Sequence, residues 1–310
     1  MDKTMNFNQF GVSLGYKRLK KLGDKLEPIS NIINWEAFRK FFERKSDLGR
    51  PPYDPILMTK SLILQSWYGI SDEELEYQIA DRISFQKFLG FPKDIPDFTT
   101  FWRFREEISE GTIRNIWAEL KRQMEEKGIK FSKDVIQDAS FVIAPPGKTN
   151  STMKDRGRGQ PTTRNEDGAW TKKGKKSYFG YKDHIKVDSK NGTVTELTVT
   201  PANVHDGQID LAKPDEVVYR DRGYFGCKTI AKGNATMKRS VRDHPISIRD
   251  KLRNKRISRK RAPGERPFAV VKRVMKGGYT YLTELHRVFV QSAMRYFTYN
   301  LIQMRRILGT

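Results

Sequence analysis

Residues Lys133–Ala144 read KDVIQDASFVIA. Val135, Ile136, Val142 and Ile143 are β-branched and the run is too short for a comfortable helix, so it predicts a buried strand. Asp138 interrupts that run. A carboxylate inside an apolar strand is expensive unless it is paired or coordinates a cation. One segment therefore bears on the fold and on the chemistry together.

Upstream of this strand the chain reads as helices. "SDEELEYQIA" (Ser71–Ala80) carries Ser71 and, three residues on, Glu74, the reciprocal capping pattern of a helix start. "GTIRNIWAELKRQMEEKG" (Gly111–Gly128) places Ile113, Ile116, Trp117, Leu120 and Met124 on one helical stripe and ends at Gly128. Between them, "IPDFTTFWRFREEI" predicts a helix capped by Asp97 or Thr99, with Phe101, Phe104 and Ile108 inward. Thr100, Arg103 and Arg105 are expected to face outward, Arg103 and Arg105 as candidate DNA contacts. The preceding short helix and the turn "GFPKDIP" fit a helix-turn-helix and an ordinary helical hairpin equally well.

Downstream the texture is that of strands. "SYFGYKDHIKVD" and "GTVTELTVTP" meet at Asn191-Gly192, a strong hairpin signal. "EVVYRD" predicts a fourth strand, and "FGCKTIAKG" a short helix. "GERPFAVVKRVMKGG" predicts a helix with Pro267 tolerated in its first turn, and "TELHRVFVQSAMRYFTYNLIQMRRIL" a long final helix. The expected organisation is an all-helical domain over residues 1–130, followed over 131–310 by an α/β domain on a mixed sheet flanked by helices. Two stretches resist it. Residues 145–176 hold nine Lys or Arg and almost nothing apolar, and 242–260 is similarly basic. Both are expected to be mobile until phosphates neutralise them. Lys172, Lys173 and Lys175 are candidate DNA contacts in the first, and removal of Lys148–Lys175 is expected to leave the fold intact.

The 310 residues carry a net charge of +22, which opposes compaction and normally meets phosphates or acidic membranes. No apolar run has the length of a membrane span, and "MDKTMNFNQF" lacks a signal-peptide core. A single cysteine, Cys227, excludes an internal disulfide and a multi-cysteine zinc site. The expectation is a soluble cytoplasmic protein with a nucleic-acid partner.

In a protein this basic, isolated acids stand out. Besides Asp138, Asp221 follows the apolar run "VVY", at the carboxyl edge of a strand where open α/β sheets place their sites. Glu265 sits alone in "RKRAPGERPFAVVKR" (Arg259–Arg273), at a helix start, with Lys272 two turns along the same face and Lys276 one turn further. Each has a bland alternative: a cap, a turn, or an acid favoured by the helix dipole. Three carboxylates from separate elements are nevertheless what two divalent cations need for phosphoryl chemistry. Mg²⁺ takes oxygen ligands, with Mn²⁺ as a substitute, and two ions can activate the attacking oxygen and stabilise the leaving one.

"QDAS", "YRDRGY" and "RAPGERPFAVVK" together resemble the DDE transposases of bacterial and archaeal insertion sequences, specifically insertion-sequence family five. That superfamily carries a Tyr-x2-Arg-x3-Glu-x6-Lys pattern, which Arg261, Glu265 and Lys272 match in spacing, with Ser258 in place of the Tyr. "GYKDHIKVD", "TPANVHD" and the helical region from Tyr53 to Phe91 extend the likeness over roughly Pro51–Leu308. The resemblance implies an RNase H-like fold and a catalytic, metal-binding set of Asp138, Asp221 and Glu265. It also implies hydrolysis at the element's ends followed by attack of the freed 3′-hydroxyl on target DNA, with phosphates positioned by Arg261 and Lys272. Double-stranded DNA, as terminal repeats and target, would be the partner of a homodimer.

Other chemistries lack their residues. "PPGKTN" has Val142 where a phosphate-binding loop needs glycine, and the four histidines are scattered. His205, beside Asp206, is read as a cap or core residue. No nucleophile elbow or recombinase tyrosine cluster is present. Against the active transposase stand two alternatives: a decayed or domesticated DNA-binding copy, and a structure-selective two-metal nuclease. All three predict DNA affinity that falls steeply between about 50 and 200 mM salt, because each neutralised phosphate releases counterions. A flat salt response in a binding titration would remove the basic segments as DNA contacts.

Overall fold

The computed structural model describes residues 7–42, 51–147, 165–242 and 244–310. Two units divide the chain, Met1–Lys127 with Met304–Thr310 and Gly128–Gln303. The first is helical: α1 (Phe7–Leu22), α2 (Glu27–Ile32), α3 (Pro55–Tyr68), α4 (Asp72–Asp81), α5 (Ile83–Leu89), α6 (Phe98–Glu107) and α7 (Glu110–Glu126). Asp54 caps α3 through the Ile56 N–H at 2.7 Å, Pro55 opens it, and left-handed Gly69 closes it. Its buried residues run all round the helix, from Ile56 and Met58 to Ile63, Leu64 and Trp67, so α3 is the core of its unit.

Local capping follows the sequence signals closely. Ser71 accepts the Glu74 N–H, Asp97 accepts the Thr100 N–H, and Ser109 accepts the Thr112 N–H. The reciprocal half of the Ser71 box does not form, because the Glu74 carboxylate turns to the Gln78 amide instead. Arg105 also departs from expectation. It is buried, and its guanidinium grips Asp72 through two bonds of 2.8 and 2.7 Å while also bonding Gln65. It ties α6 to α4 and is withdrawn as a DNA contact. Arg103 does face outward. The packing partners of α6 are α4 and α3, so α5 and α6 do not form a closely packed helix-turn-helix pair.

The second unit is built on six strands: β1 (Asp134–Ile143), β2 (Ala169–Lys173), β3 (Lys176–Asp188), β4 (Val194–Pro201), β5 (Val217–Arg220) and β6 (Gly233–Thr236). Their order is β2-β3-β1-β5-β6, with β4 also paired to β3. β1, β5 and β6 are parallel, whereas β3 runs antiparallel to β1, β2 and β4. This is an RNase H-like mixed sheet, with helices α8 (Ile248–Arg261), α9 (Glu265–Arg273) and α10 (Leu285–Leu308).

Three sequence expectations change here. The basic segment 145–176 is not loop throughout: Ala169–Lys173 forms β2, hairpinned to β3 through left-handed Gly174. Within it Asn165 accepts the Tyr181 hydroxyl at 2.7 Å and Asp167 accepts the Leu285 N–H at 2.7 Å. Removing Lys148–Lys175 would therefore strip structural bonds as well as charge; residues 148–164 lie outside the described ones. The stretch 242–260 largely belongs to α8, capped by Ser247 on the Asp250 N–H and anchored by buried Asn254 and Ile257. "FGCKTIAKG" is turn, not helix, and leads into β6.

One glycine fixes where α9 begins. A Cβ at Gly264 would stand 2.6 Å from Ile136 Cγ2, so only glycine lets the α8–α9 corner lie directly on β1. Gly264→Ala is expected to lower the unfolding free energy by about 1–3 kcal/mol, the usual range for overpacking. Urea unfolding checks it, and a variant as stable as wild type would contradict this contact.

Candidate active site

Strand register brings the first two acids together. β1 and β5 are parallel neighbours with Ile136 opposite Tyr219. Asp138, midway along β1, and Asp221, just past the end of β5, each lie two residues beyond that pair, so they stand level on strands about 4.8 Å apart. Equal offset from a paired position also gives both side chains the same face of the pleat. Ile136 is on that face too, which seats Gly264, at the α9 N-terminus, on the same face of β1 two residues before Asp138.

The carboxylates are held in distinct ways. Asp138 Oδ1 accepts the Ala139 N–H at 2.9 Å, and Oδ2 accepts Arg261 Nη2 at 2.7 Å. Burial raises the Asp138 pKa above the ordinary carboxylate value, and the charge of Asp221 adds to the rise; Arg261 and the Ala139 N–H oppose it. Asp221 Oδ1 accepts the Gly223 N–H at 2.8 Å, capping the short 3-10 turn Arg222–Tyr224. Glu265 is exposed in the first turn of α9, a position the helix dipole favours for an acid.

The donor set can be tested for a divalent cation. Two carboxylates at one level of neighbouring strands supply hard oxygen ligands, and their mutual repulsion is what a cation between them would relieve. The aspartate pair therefore fits. Glu265 does not close the set: among the described residues no group of three or more His, Cys, Asp or Glu is near enough to hold a metal. Arg261, from the last turn of α8, supplies the counter-charge to Asp138.

The candidate phosphate contacts divide. Lys272 is exposed on α9, and Lys173 of β2 lies near enough for the two charges to repel. Burial lowers the Lys272 pKa and Asp183 pulls it back up. Lys172 and Lys175 are exposed on β2 and its turn. Lys276 does not continue the Lys272 face. The helix ends at Arg273, and Lys276 takes a left-handed φ of 52° in the loop beyond. Ser258 is exposed on α8, one turn before Arg261.

Sequence reading missed two groups around this site. Tyr224, in the "DRGY" stretch, is buried with its ring 5.4 Å from the Arg220 guanidinium, and burial beside Asp206, Asp138 and Asp221 raises its pKa. Asp183 on β3 is buried and accepts Ser292 and Tyr296 hydroxyls from α10 at 2.9 and 3.2 Å. The first carried a signal, since it follows Asp221 in one motif. The second is hidden, because an Asp in "GYKDHIKVD" reads as the polar half of an alternating strand. His205 caps a turn on the Gly207 N–H, as read from the sequence, and His184, bonded to Thr200, is pushed down to about 4 by burial.

Comparison with known families agrees with this geometry. A family model described as "Transposase domain (DUF772)" matches residues 15–107, and one described as "Transposase DDE domain" matches residues 123–301. No solved structure matches the chain. With more than half of its length matched to that second model, and its strands ordered as an RNase H-like sheet, the chain belongs to the DDE transposases.

Proposed function

We propose that Asp138, Asp221 and Glu265 are the three catalytic acids of this transposase and that they hold divalent cations, Mg²⁺ with Mn²⁺ as a substitute, two per site. The observation carrying this reading is the level placement of Asp138 and Asp221 on adjacent parallel strands. Glu265 joins them from the start of α9, which Gly264 seats on β1. Bound there, the ions would supply Lewis acidity to the water or 3′-hydroxyl that attacks and to the oxygen that leaves.

The chain's own residues do the rest. Asp138 and Asp221, too close to be comfortable as two bare anions, favour whatever positive charge lies between them. Arg261 neutralises Asp138 when the site holds no substrate and is placed to turn its fork toward a phosphate oxygen. Lys272 and Lys173 gather positive charge beside the acids and hold the DNA backbone there. Lys172 and Lys175 extend that backbone contact, and Arg103 is a DNA contact of the helical unit by itself. The substrate is double-stranded DNA at the element's terminal repeats, cut to free a 3′-hydroxyl that then attacks target DNA. Two ends must be handled at once, so the protein acts as a homodimer.

The test is strand cleavage of a DNA carrying the sequences that flank this gene, with Mg²⁺, Mn²⁺ or chelator. Asp138→Asn, Asp221→Asn and Glu265→Gln are each expected to bind the DNA ends as wild type does and to cleave at least about 100-fold more slowly, the upper range for damage to a metal site. Wild-type cleavage by Glu265→Gln would remove Glu265 as the third acid. Undiminished cleavage in chelator would sink the metal reading altogether.

A further inference from the structure

The second unit keeps a fourth carboxylate under the site, and its surroundings are unusual. Asp183 is only 2% exposed. It stands opposite Ser140, while Ile185 stands opposite Asp138, so Asp183 lies on the face of the sheet that carries the first acid, one strand over and two residues along. Its neighbours along β3 on that face, Tyr181 and Ile185, are fully buried. Burial lifts its pKa to about 6. A carboxylate in such a place is expensive, and an asparagine of the same shape would be cheaper.

What Asp183 touches explains its presence. It accepts the Ser292 and Tyr296 hydroxyls, which fixes it to α10. The Tyr296 ring meets Phe268 of α9 edge-on, with centroids 6.4 Å apart, and Phe268 is three residues from Glu265. Gly277, just past α9, packs on the Arg295 stem, where a Cβ would stand 3.1 Å from Arg295 Cδ. Two cations answer the charge of Asp183: Arg295 on α10 and Lys272 on α9. Lys272 is thus drawn by the charge of Asp183 and repelled by that of Lys173.

We infer that Asp183 is a positioning residue for DNA cleavage: through its charge it holds the Lys272 ammonium over the site, and through Tyr296 it seats the helix that carries Glu265. This rests on the reading that Lys272 and Glu265 serve the reaction. Asp183 touches neither substrate nor metal. Its effect is on geometry, so it belongs to the rate of cleavage and not to the affinity for DNA ends.

A double-mutant cycle tests this on the gene-flanking DNA with Mg²⁺, using single-turnover nicking, end binding and thermal melting. Asp183→Asn is expected to nick about 10–100-fold more slowly, the range for partners standing behind a site, while binding ends within about twofold of wild type and melting no lower. Lys272→Met is expected to be slow as well, and the double variant no slower than the slower single one, since both changes break one interaction. Wild-type nicking by Asp183→Asn with a slow Lys272→Met would overturn the inference and leave the proposed function standing. Wild-type nicking by Lys272→Met would remove Lys272 from the reaction and overturn the inference, leaving the three-acid reading to its own test. A double variant whose loss is the product of the single losses would also overturn it. Should Asp183→Asn fail to fold, Tyr296→Phe decides: it keeps the ring on Phe268 and loses the bond to Asp183, so slowed nicking supports the role and an unchanged rate refutes it.

Discussion

The parallel pairing of β1 with β5 is the constraint on which the site depends. Ile136 opposite Tyr219 makes Asp138 and Asp221 level, and a slip of one residue would send one of them to the opposite face. That register is protected by burial. Val135 and Val218 pair on one face in a small apolar cluster with Ala212, and Ile136 on the other is pressed by Gly264. The apolar side chains thus hold two like charges where they would not choose to be, and Arg261 offsets part of the repulsion at Asp138.

Burial of β3 on both faces explains why so many polar groups are buried in the second unit. β3 is covered along nearly its whole length, so its Lys182, Asp183, His184, Lys186 and Asp188 all need partners. Lys182 bonds Asp206 and the Val204 carbonyl, Lys186 bonds Glu216, and Asp188 organises the turn that follows by accepting the Lys190 and Asn191 N–H groups. α10 satisfies the rest of the hairpin: Asn300 bonds both backbone groups of Val194, and Tyr299 and Gln303 bond the carbonyls of Gly192 and Asn191. A strand with this many satisfied polar groups tolerates one register, which is what a site split across strands and helices requires.

Where local chemistry decides structure, the sequence was readable. The caps at Ser71 and Asp97 and the β-branched run around Asp138 act within a few residues and form where read, though Glu74 does not close the Ser71 box. The hairpin after Asp188 was also foreseen, though its loop is longer than the two-residue turn that Asn191-Gly192 implies. Where tertiary partners decide, it was not. Arg105 looked outward because arginine on an amphipathic helix usually is, yet Asp72 draws it inward. β2 and α8 read as coil because their charges hide the pattern: β2 gains its order from the edge of β3, and α8 buries only Asn254 and Ile257. Lys276 was lost to a helix end that no glycine or proline announced. Of the proposed site, the three acids stood out as isolated carboxylates in a chain of net charge +22, while Asp183 became visible only once the sheet faces were known.

The central claim is that Asp138, Asp221 and Glu265 gather around divalent cations when DNA is present. Anomalous scattering from Mn²⁺ in a crystal of the protein with its DNA end tests it most directly. The account predicts manganese between the Asp138 and Asp221 carboxylates, at about 2.1 Å from their oxygens as expected for a small hard cation. Glu265 should be drawn into the shell and Arg261 turned from Asp138 to a phosphate. Manganese bound elsewhere, or between the aspartates with Glu265 still facing solvent, would contradict it.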